Sequence, residues 1–397
     1  MKHFFAVWGI VSALFLVGCD KQPSNNQFMQ DLKLSKVTDY FYLVGCDKQP
    51  SNNQFMQDLK LSKVTDYFYE VYYDDYDYAF AEEYNRKTNN PNLGACSSVR
   101  NGNFHGRNYD WYYDENVEFI VHTSAKDGRH ASIGVATMVP GTSINFVDSG
   151  LYTDGYKILP FRVVDGINDA GVAININVVP FGDMPLTSGT NPDGENMYFV
   201  SAIRYVLDYA DSVDSAVALL KSKNLYAMNN GDKHEEAHFM ISDKDKTVIV
   251  EFINNEIVVV ENANIMTNFY MAVDKTPHSA GLERFNILHE NYDMASTGPG
   301  MISLLKKVWY SQAYNRNSNP FWYSEFVGDF SPVYKDITIY SPVEDLAPVI
   351  DAGIAKFEQH ERTGQTWYTT HTSVYDLENK TLTLIPHETG FEYTFGI

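Results

Sequence analysis

Short apolar runs and apolar–polar alternation recur along the chain. They are typical of β-strands, in which successive side chains point to opposite faces. They predict the strands Val117–His122, Ala131–Val139, Val172–Val178, Phe239–Ser242, Thr247–Phe252 and Glu256–Val260, and a terminal hairpin of Thr366–Asp376 and Thr381–Ile385.

Other segments are helix-like, and in one of them Phe285, Leu288 and Tyr292 fall at intervals of three and four residues. The predicted helices are Tyr198–Tyr209, Val213–Ser222, Arg284–Tyr292 and Met301–Gln312. Strands come first, helices in the middle and strands last. This order suits two stacked antiparallel sheets flanked by helices, although the pattern alone predicts only an α+β fold.

The composition narrows the range of partners. Acidic residues outnumber basic ones by 51 to 30, which gives a net charge of −21 and disfavours nucleic acids and anionic membrane surfaces. No phosphate-binding glycine loop or nucleotide motif stands out, so we expect no cofactor. The cysteines are Cys19, Cys46 and Cys96, and they offer no pair suited to a disulfide.

The first 18 residues have a short basic start, an apolar core and a small-residue ending, which are typical of a signal peptide. The sequence Leu16-Val-Gly-Cys19 resembles a bacterial lipobox. We therefore expect residues 1–18 to be a lipoprotein signal peptide, with cleavage before Cys19 and lipidation of its thiol. An uncleaved hydrophobic anchor is the alternative, and either makes the protein an exported one attached to the membrane as a precursor.

Residues 16–42 recur identically as residues 43–69. Such identity indicates a recent tandem duplication or an assembly error rather than a structural repeat, since repeats normally diverge. Cys46 is thus a copy of the lipobox cysteine, preceded by residues too polar for a signal core, and we expect it to be an uninvolved thiol. We interpret residues 19–95 as linker and propeptide; for the aromatic, acidic stretch Tyr67–Phe80, the alternative is an ordinary amphipathic flank.

The most informative segment joins Cys96 to Arg107 and Asp110 through a hairpin signal, Asn101-Gly102. A cut before Cys96, in a turn-rich connector, would give one residue both a thiol and a free amine, with pKa values of about 8.5 and about 8. The amine can then accept the thiol proton without a histidine. Arg107 would stabilise the thiolate and Asp110 the ammonium group. The alternative is a buried inert cysteine and an ordinary surface ion pair.

The elements Cys96-Ser-Ser and Gly106-Arg-Asn-Tyr-Asp110 resemble the start of the mature choloylglycine hydrolase or penicillin V acylase family of N-terminal-nucleophile (Ntn) hydrolases. The acid ceramidase group shares the second element. The resemblance implies that residues 96–397 form a catalytic domain with the four-layer αββα sandwich of Ntn hydrolases.

Three downstream segments also resemble the first family. Asp165-Gly-Ile-Asn leads into a strand where the resemblance implies that Asn177 lines the oxyanion hole, and Asn175 shares its face. Ile265-Met-Thr-Asn268 resembles the segment whose Asn donates its amide to the oxyanion. Gly281-Leu-Glu-Arg284-Phe285 resembles the segment whose Arg completes the charge network.

The resemblance implies a cysteine amidase that forms a thioester acyl-enzyme and acts on small-molecule N-acyl amides. Conjugated bile salts and phenoxyacyl penicillins are the leading candidates, and Asn177 favours the former. An acid-ceramidase-like activity and an N-acyl homoserine lactone amidase are alternatives, as is a lipoprotein that uses the same fold only to bind ligands. The sequence leaves open whether the protein forms a homo-oligomer.

The sequence His234-Glu-Glu-Ala-His238 matches a zinc peptidase pattern, which needs both histidines on one helical face. A turn at Asn229–Lys233 and a strand from Phe239 leave no room for that helix. We therefore expect no zinc site there.

Overall fold

The structure is a computed structural model. It describes residues 59–87, 96–112, 117–137, 153–179, 194–227, 229–230, 233–234, 237–253, 256–272, 281–309, 338–339, 367–387 and 389–397. The strands, in chain order, are β1 (Lys60–Lys63), β2 (Phe68–Tyr73), β3 (Cys96–Asn101), β4 (Phe104–Tyr112), β5 (Glu118–Thr123), β6 (Ser132–Ala136), β7 (Val163–Asn168), β8 (Ala173–Val178), β9 (Glu195–Tyr198), β10 (Lys223–Tyr226), β11 (Asn229–Asn230), β12 (Lys233–His234), β13 (Ala237–Ser242), β14 (Thr247–Ile253), β15 (Glu256–Glu261), β16 (Ile265–Met266), β17 (Thr338–Ile339), β18 (Trp367–Asp376), β19 (Thr381–Pro386) and β20 (Tyr393–Gly396). The α-helices are α1 (Tyr78–Lys87), α2 (Thr153–Ile158), α3 (Ser201–Tyr209), α4 (Val213–Lys221), α5 (Leu282–Glu290) and α6 (Gly298–Lys306). Short 3₁₀ helices cover Leu159–Phe161 and Tyr292–Ser296.

Two large sheets organise the described residues. The first has the strand order β1-β2-β5-β6-β7-β8-β13-β14-β15-β17, and the second has the order β16-β3-β4-β18-β19-β20. Neighbouring strands are antiparallel except β2 and β5, which run parallel. Chain-adjacent strands mostly pair as hairpins, which explains why the alternation is visible in the sequence.

The two sheets stack on each other and helices cover their outer faces. Contacts between the sheets join β3 to β8, β18 to β7, and β19 to β6 and β7. Helix α3 packs on β7 and β8 of the first sheet, whereas α6 packs on β4 and β18 of the second. The layer order is therefore helix, sheet, sheet, helix, and the αββα expectation is confirmed.

The apolar core follows the same layers. One buried cluster lies between the sheets and includes Ile133, Ile167, Tyr375 and Leu384. Larger clusters lie under the helices of each outer layer. Because both faces of the central strands are covered, β6, β7 and β8 are buried along their whole length.

The predicted strands and helices are confirmed within the described residues, with shifts at their ends. Helix α6 begins at Gly298 rather than at Met301, because the Thr297 side chain accepts a hydrogen bond from the Gly300 amide at 3.2 Å and Pro299 fits the first turn. Helix α3 begins at Ser201, because Tyr198 ends a strand that pairs with β10.

The segment 59–87 is part of the fold in this uncut chain. Its first strands, β1 and β2, extend the first sheet beyond β5, and α1 follows them. The second copy of the duplicated sequence, residues 43–69, therefore supplies β1 and the start of β2. The first copy, the signal peptide and Cys19 lie outside the described residues, as do Cys46 and the connector before Cys96.

Candidate active site

The β3–β4 hairpin holds both the cysteine and the Arg-Asn-x-Asp motif. The strands pair antiparallel with Cys96 opposite Tyr109, and the turn between them consists of Gly102 and Asn103. Gly102 has φ +56°, which suits the first loop position of a type II′ turn, where glycine is free of Cβ strain. The hairpin predicted from Asn101-Gly102 is confirmed, displaced by one residue.

Alternation along β4 sends the motif's side chains to opposite faces of the second sheet. Arg107 reaches the carbonyl oxygen of Ile176 on β8, and so lies between the two sheets. Asn108 instead donates to the carbonyl oxygen of Leu305 on α6 at 2.9 Å. Asp110, two residues on, shares the helix-side face with Asn108.

The side chain of Arg107 contacts the cysteine sulfur. Its Nη2 lies 3.1 Å from Sγ of Cys96 and donates to the Ile176 carbonyl oxygen at 2.9 Å. Its Nη1 donates to Oδ2 of Asp165 at 2.8 Å in a fully buried ion pair. The planar guanidinium is thus fixed on three sides, which orients its charge toward the sulfur.

A chain of buried charges continues behind Arg107. Nε2 of His371 lies 3.6 Å from Oδ2 of Asp165, and Nδ1 of His371 lies 2.7 Å from Oε2 of Glu118. Tyr375 donates its hydroxyl hydrogen to the other oxygen of Asp165. The cations of Arg107 and His371 therefore balance the two carboxylates away from water.

The charged groups in this buried row shift one another's pKa values. Burial alone would raise the pKa of Asp165, but the charges of Arg107 and His371 lower it to about 2. Burial alone would lower the pKa of His371, but Glu118 and Asp165 raise it to about 9. At neutral pH Asp165 is therefore an anion and His371 a cation.

The Cys96 thiol is itself fully buried between the sheets. Burial raises its pKa, and although Arg107 and Arg284 act in the opposite direction, the pKa stays above the ordinary value. In the uncut chain the sulfur is therefore protonated at neutral pH. Nucleophilic attack from this state requires a group that accepts the thiol proton.

Arg284 lies on the helix side of the hairpin, at the start of α5. Its Nη1 donates to the carbonyl oxygen of Cys96 and, at 2.6 Å, to the Ser97 hydroxyl oxygen. The same nitrogen lies 3.4 Å from Oδ2 of Asp110, whose other oxygen accepts a hydrogen bond from Thr369 at 2.6 Å. Arg284 therefore joins the cysteine backbone to Asp110.

Burial raises the pKa of Asp110 to about 6, although Arg284 and the Thr369 hydrogen bond lower it. The pKa of this carboxyl therefore lies closer to neutrality than that of Asp165, at about 2, or that of His371, at about 9. A pKa close to the working pH suits a group that holds or exchanges protons.

Asn268 meets the backbone of the cysteine. Its Oδ1 accepts a hydrogen bond from the Cys96 backbone N–H at 3.1 Å and a second one from Arg284. Its Nδ2 donates to the Val178 carbonyl oxygen at 2.8 Å. An amide nitrogen has two hydrogens, and the second has no partner among the described residues.

Two buried residues fix the segment that holds Asn268. Glu251 accepts hydrogen bonds from the backbone N–H groups of Met271 at 2.6 Å and Ala272 at 2.8 Å. Nε2 of His238 lies 2.9 Å from the Thr267 carbonyl oxygen, and its Nδ1 lies 3.2 Å from Glu251. These bonds hold the chain immediately before and after Asn268.

Asn177 is not brought to the cysteine sulfur. Its Nδ2 donates to the carbonyl oxygens of Met266 and Thr267 at 3.2 and 3.1 Å. Its Oδ1 accepts from Ser98 at 3.2 Å and from Asn175 at 3.0 Å. Asn177 therefore belongs to a buried polar cluster between the sheets, whereas the carbonyl oxygens of its neighbours in β8 contact Arg107 and Asn268.

The structure thus brings Cys96, Arg107, Asp110, Asn268 and Arg284 together. It adds residues that the sequence analysis did not single out: Glu118, Asp165, Glu251, Thr369 and His371. Asp165 opens a motif that the sequence analysis used, so that motif was a signal for it. The other four lie on strands without any motif.

The two histidines of the zinc-like pattern lie on β12 and β13 and share no helix. His238 instead supports Asn268, as described above. Across the described residues, no group of three or more candidate ligands is arranged to hold a metal ion. In that same part of the chain, every helix is too short or too polar to cross a membrane.

Comparisons with known proteins give a family match over this part of the chain. A sequence model of the linear amide C-N hydrolases of the choloylglycine hydrolase family matches residues 96–288, which contain all five residues brought together here. No curated protein matches the chain in sequence.

Solved structures provide distant neighbours. A variant of the conjugated bile acid hydrolase from Clostridium perfringens is 15% identical, with a TM-score of 0.41, covering 76% of this chain and 92% of that chain. The penicillin V acylase from Agrobacterium tumefaciens is 16% identical, with a TM-score of 0.40, covering 76% of this chain and 86% of that chain. Residues 96–288 thus match the choloylglycine hydrolase family, and with that match and the site together the chain is a hydrolase of linear amide C-N bonds.

Proposed function

We propose that the protein is an exported N-terminal cysteine hydrolase of small-molecule N-acyl amides, with conjugated bile salts or penicillin V type amides as substrates. One observation supports this most directly: the buried Cys96 sulfur contacts Arg107 at 3.1 Å while the Cys96 backbone nitrogen lies 3.1 Å from Asn268. Both reacting atoms of an N-terminal cysteine already have polar partners. The family match, which begins at residue 96, supports the same assignment.

The first reaction in this proposal is self-cleavage before Cys96. The sulfur attacks the carbonyl carbon of Ala95, the thiol proton passes to the departing Cys96 nitrogen as the C–N bond breaks, and the acyl group moves from nitrogen to sulfur as a thioester. Water then hydrolyses the thioester. One peptide bond and one water molecule give a carboxyl group on Ala95 and a free amine on Cys96.

The same two atoms then act on the substrate. The Cys96 amine accepts the thiol proton, and the sulfur attacks the amide carbon. The second hydrogen of the Asn268 amide group is donated to the oxyanion. The intermediate collapses as the ammonium group protonates the leaving amine, and water hydrolyses the thioester to release the acid.

The other site residues have supporting roles in this mechanism. Arg107 stabilises the thiolate, since its guanidinium contacts the sulfur and is fixed by Asp165. Arg284 fixes the Cys96 carbonyl group and the amide oxygen of Asn268. Asp110, beside Arg284, stabilises the ammonium group of the freed cysteine.

Export completes the proposal. Residues 1–18 act as a lipoprotein signal peptide, and Cys19 carries the lipid that attaches the precursor to the membrane. This part is supported by the lipobox-like sequence alone.

The experiment is an amide hydrolysis assay of the purified protein on glycocholate, penicillin V and an N-acyl homoserine lactone, with the released acid and amine measured by mass spectrometry. Wild type is expected to turn over one of the first two, and Cys96→Ala to turn over none. The matched control is Cys46→Ala, which removes another cysteine and should keep wild-type activity. Wild-type activity in Cys96→Ala would refute the proposal. Hydrolysis of only the amide bond of the N-acyl homoserine lactone would refute the proposed substrate class and favour an N-acyl homoserine lactone amidase.

A further inference from the structure

The segment before the proposed cleavage site is built into the first sheet. Strand β2 pairs parallel with β5 along its whole length, from Phe68 opposite Glu118 to Tyr73 opposite Thr123. Backbone bonds extend the pairing at both ends, from the Glu118 N–H to the Tyr67 carbonyl at 2.8 Å and from the Ser124 N–H to the Tyr73 carbonyl at 3.0 Å. Without β2, strand β5 would be an unpaired edge.

The same segment supplies side chains to the apolar core. Tyr69, Val71, Tyr73 and Ala81 are buried in the cluster that also contains Phe119 and Val121 of β5. The hydroxyl of Tyr73 donates to the Tyr156 carbonyl oxygen at 2.6 Å. Loss of the segment would expose a continuous apolar face on the catalytic body, residues 96–397. Exposure of such a face is costly in water.

Its acidic and aromatic stretch meets cations and a carboxylate of the body. Asp75 lies 2.7 Å from Lys126 and 2.8 Å from Arg129. The hydroxyls of Tyr76 and Tyr78 donate to the two oxygens of Asp208 at 2.5 and 2.7 Å. Charge-assisted hydrogen bonds of this kind are directional and specific.

Helix α1 adds a third set of contacts. Glu82 accepts hydrogen bonds from the Tyr198 backbone N–H and from the Tyr226 hydroxyl, both at 2.9 Å. The Asn85 side chain donates to the Ser201 hydroxyl oxygen at 3.2 Å. Strand, turn and helix of the segment thus each bind the body independently of the peptide connection to Cys96.

The segment also reaches the charge chain of the active site. The ring of Phe68 packs edge-on against the imidazole of His371, with centroids 5.8 Å apart. His371 lies between Glu118 and Asp165, and Asp165 holds Arg107. Removal of Phe68 would expose this buried row of charged groups to water.

We propose that residues 59–87 stay bound after the cut before Cys96, so that the mature enzyme is a noncovalent complex of two chains and is active only as that complex. This inference rests on the proposed self-cleavage. The surface of the body formed by β5, α3 and Arg129 is the docking surface, and its partner is the cut segment of the same chain.

The experiment separates cleavage from retention. Full-length protein is analysed by denaturing mass spectrometry, which reports cleavage, and by size-exclusion chromatography and native mass spectrometry, which report retention. The expected result is two chains under denaturing conditions and one complex under native conditions. If the chain stays uncut, the self-cleavage proposal fails, and a specific protease site inserted between residues 88 and 95 supplies the cut so that retention is still tested. A folded, active body that has lost residues 59–87 would overturn the inference.

Paired variants test the docking surface. Tyr76→Phe with Tyr78→Phe removes both hydroxyls that cross to Asp208 and is expected to weaken retention at least about tenfold, with an equal loss of activity at low concentration. Tyr72→Phe is the matched control, since its hydroxyl bonds to Glu70 within the segment at 2.7 Å and its ring is kept against His122. Equal retention in both variants would contradict the proposed surface.

Discussion

Arg107 places Nη2 3.1 Å from the sulfur of Cys96, although the two residues belong to different strands and share one face of the sheet only because the β3–β4 hairpin folds them together. Its other terminal nitrogen is bound to Asp165. The charge beside the Cys96 sulfur is therefore held by a residue on the other sheet. Its position depends on the stacking of the two sheets and not on the hairpin alone.

Arg107→Lys is predicted to lower kcat by about ten- to a hundredfold with little change in KM. A lysine has one compact ammonium group and cannot contact the sulfur, Asp165 and Ile176 together, so a charge-assisted bond is lost. Steady-state kinetics measure the effect. The control is Arg100→Lys on the same hairpin, since Arg100 contacts the carbonyl groups of Asp243 and Lys244 instead. Equal kcat values in both variants would refute the role of Arg107.

Asn268→Ala and Asn177→Ala are predicted to fail in different ways. The first removes the amide proposed for the oxyanion and should lower kcat by about 10²–10³. The second removes the buried amide that donates to the Met266 and Thr267 carbonyl oxygens, and should lower the free energy of unfolding by about 1–3 kcal/mol while kcat falls less than about tenfold. Steady-state kinetics and urea unfolding of each variant distinguish a loss of kcat from a loss of stability. The larger kcat loss in Asn177→Ala would return the oxyanion role to that residue.

Asp110→Asn is predicted to stabilise the uncut chain at neutral pH. Since burial raises the folded-state pKa of Asp110 to about 6, ionisation is disfavoured in the folded state, and stability is lost as pH rises from about 4 to about 6. Asparagine stays neutral, so the variant should be up to about 3 kcal/mol more stable at pH 7 and show no gain at pH 4. Urea unfolding in the Cys96→Ala background, which stays uncut, measures this. A gain at pH 4 that vanishes at pH 7 would contradict the sign.

His371→Gln is predicted to lose stability with the opposite pH dependence. The folded-state pKa of His371 is raised to about 9, so its contribution is fully present below about pH 6.5 and disappears as pH rises through 9. The loss should be about 3 kcal/mol at pH 6 and close to zero at pH 10. The control is His130→Gln, whose partly exposed pair with Asp169 should contribute less than about 1 kcal/mol. A constant difference between wild type and His371→Gln from pH 6 to pH 10 would show that its charge plays no part.

The hairpin and its motif were predictable from the sequence because the relevant signals are local. Asn101-Gly102 indicated a tight turn, and the two-residue period of a strand explains why Arg107 and Asp110 face opposite sides of the sheet. The αββα layer order was expected from the family resemblance, whereas the pattern of strands and helices alone predicts only an α+β fold. Asn175 and Asn177 share one face of β8, as the two-residue period predicts, and that face meets Ser98 of the other sheet.

His371 and Thr369 were not predictable from local patterns. Strand β18 changes its register against β4 between Thr369 and His371, so simple alternation does not assign their faces. The bulge lets Thr369 bond to Asp110 on one side while His371 meets Asp165 on the other. Glu251 and Glu118 meet their partners across long sequence separations, which only tertiary structure specifies.

The central claim is that Cys96 becomes the N-terminal residue and forms the acyl-enzyme. The most direct measurement is intact mass with N-terminal sequencing of the full-length protein, before and after brief incubation with glycocholate or penicillin V. The account predicts a chain that begins at Cys96 and transiently gains the mass of one acyl group. A chain that hydrolyses these amides while it still carries the residues before Cys96 would contradict it.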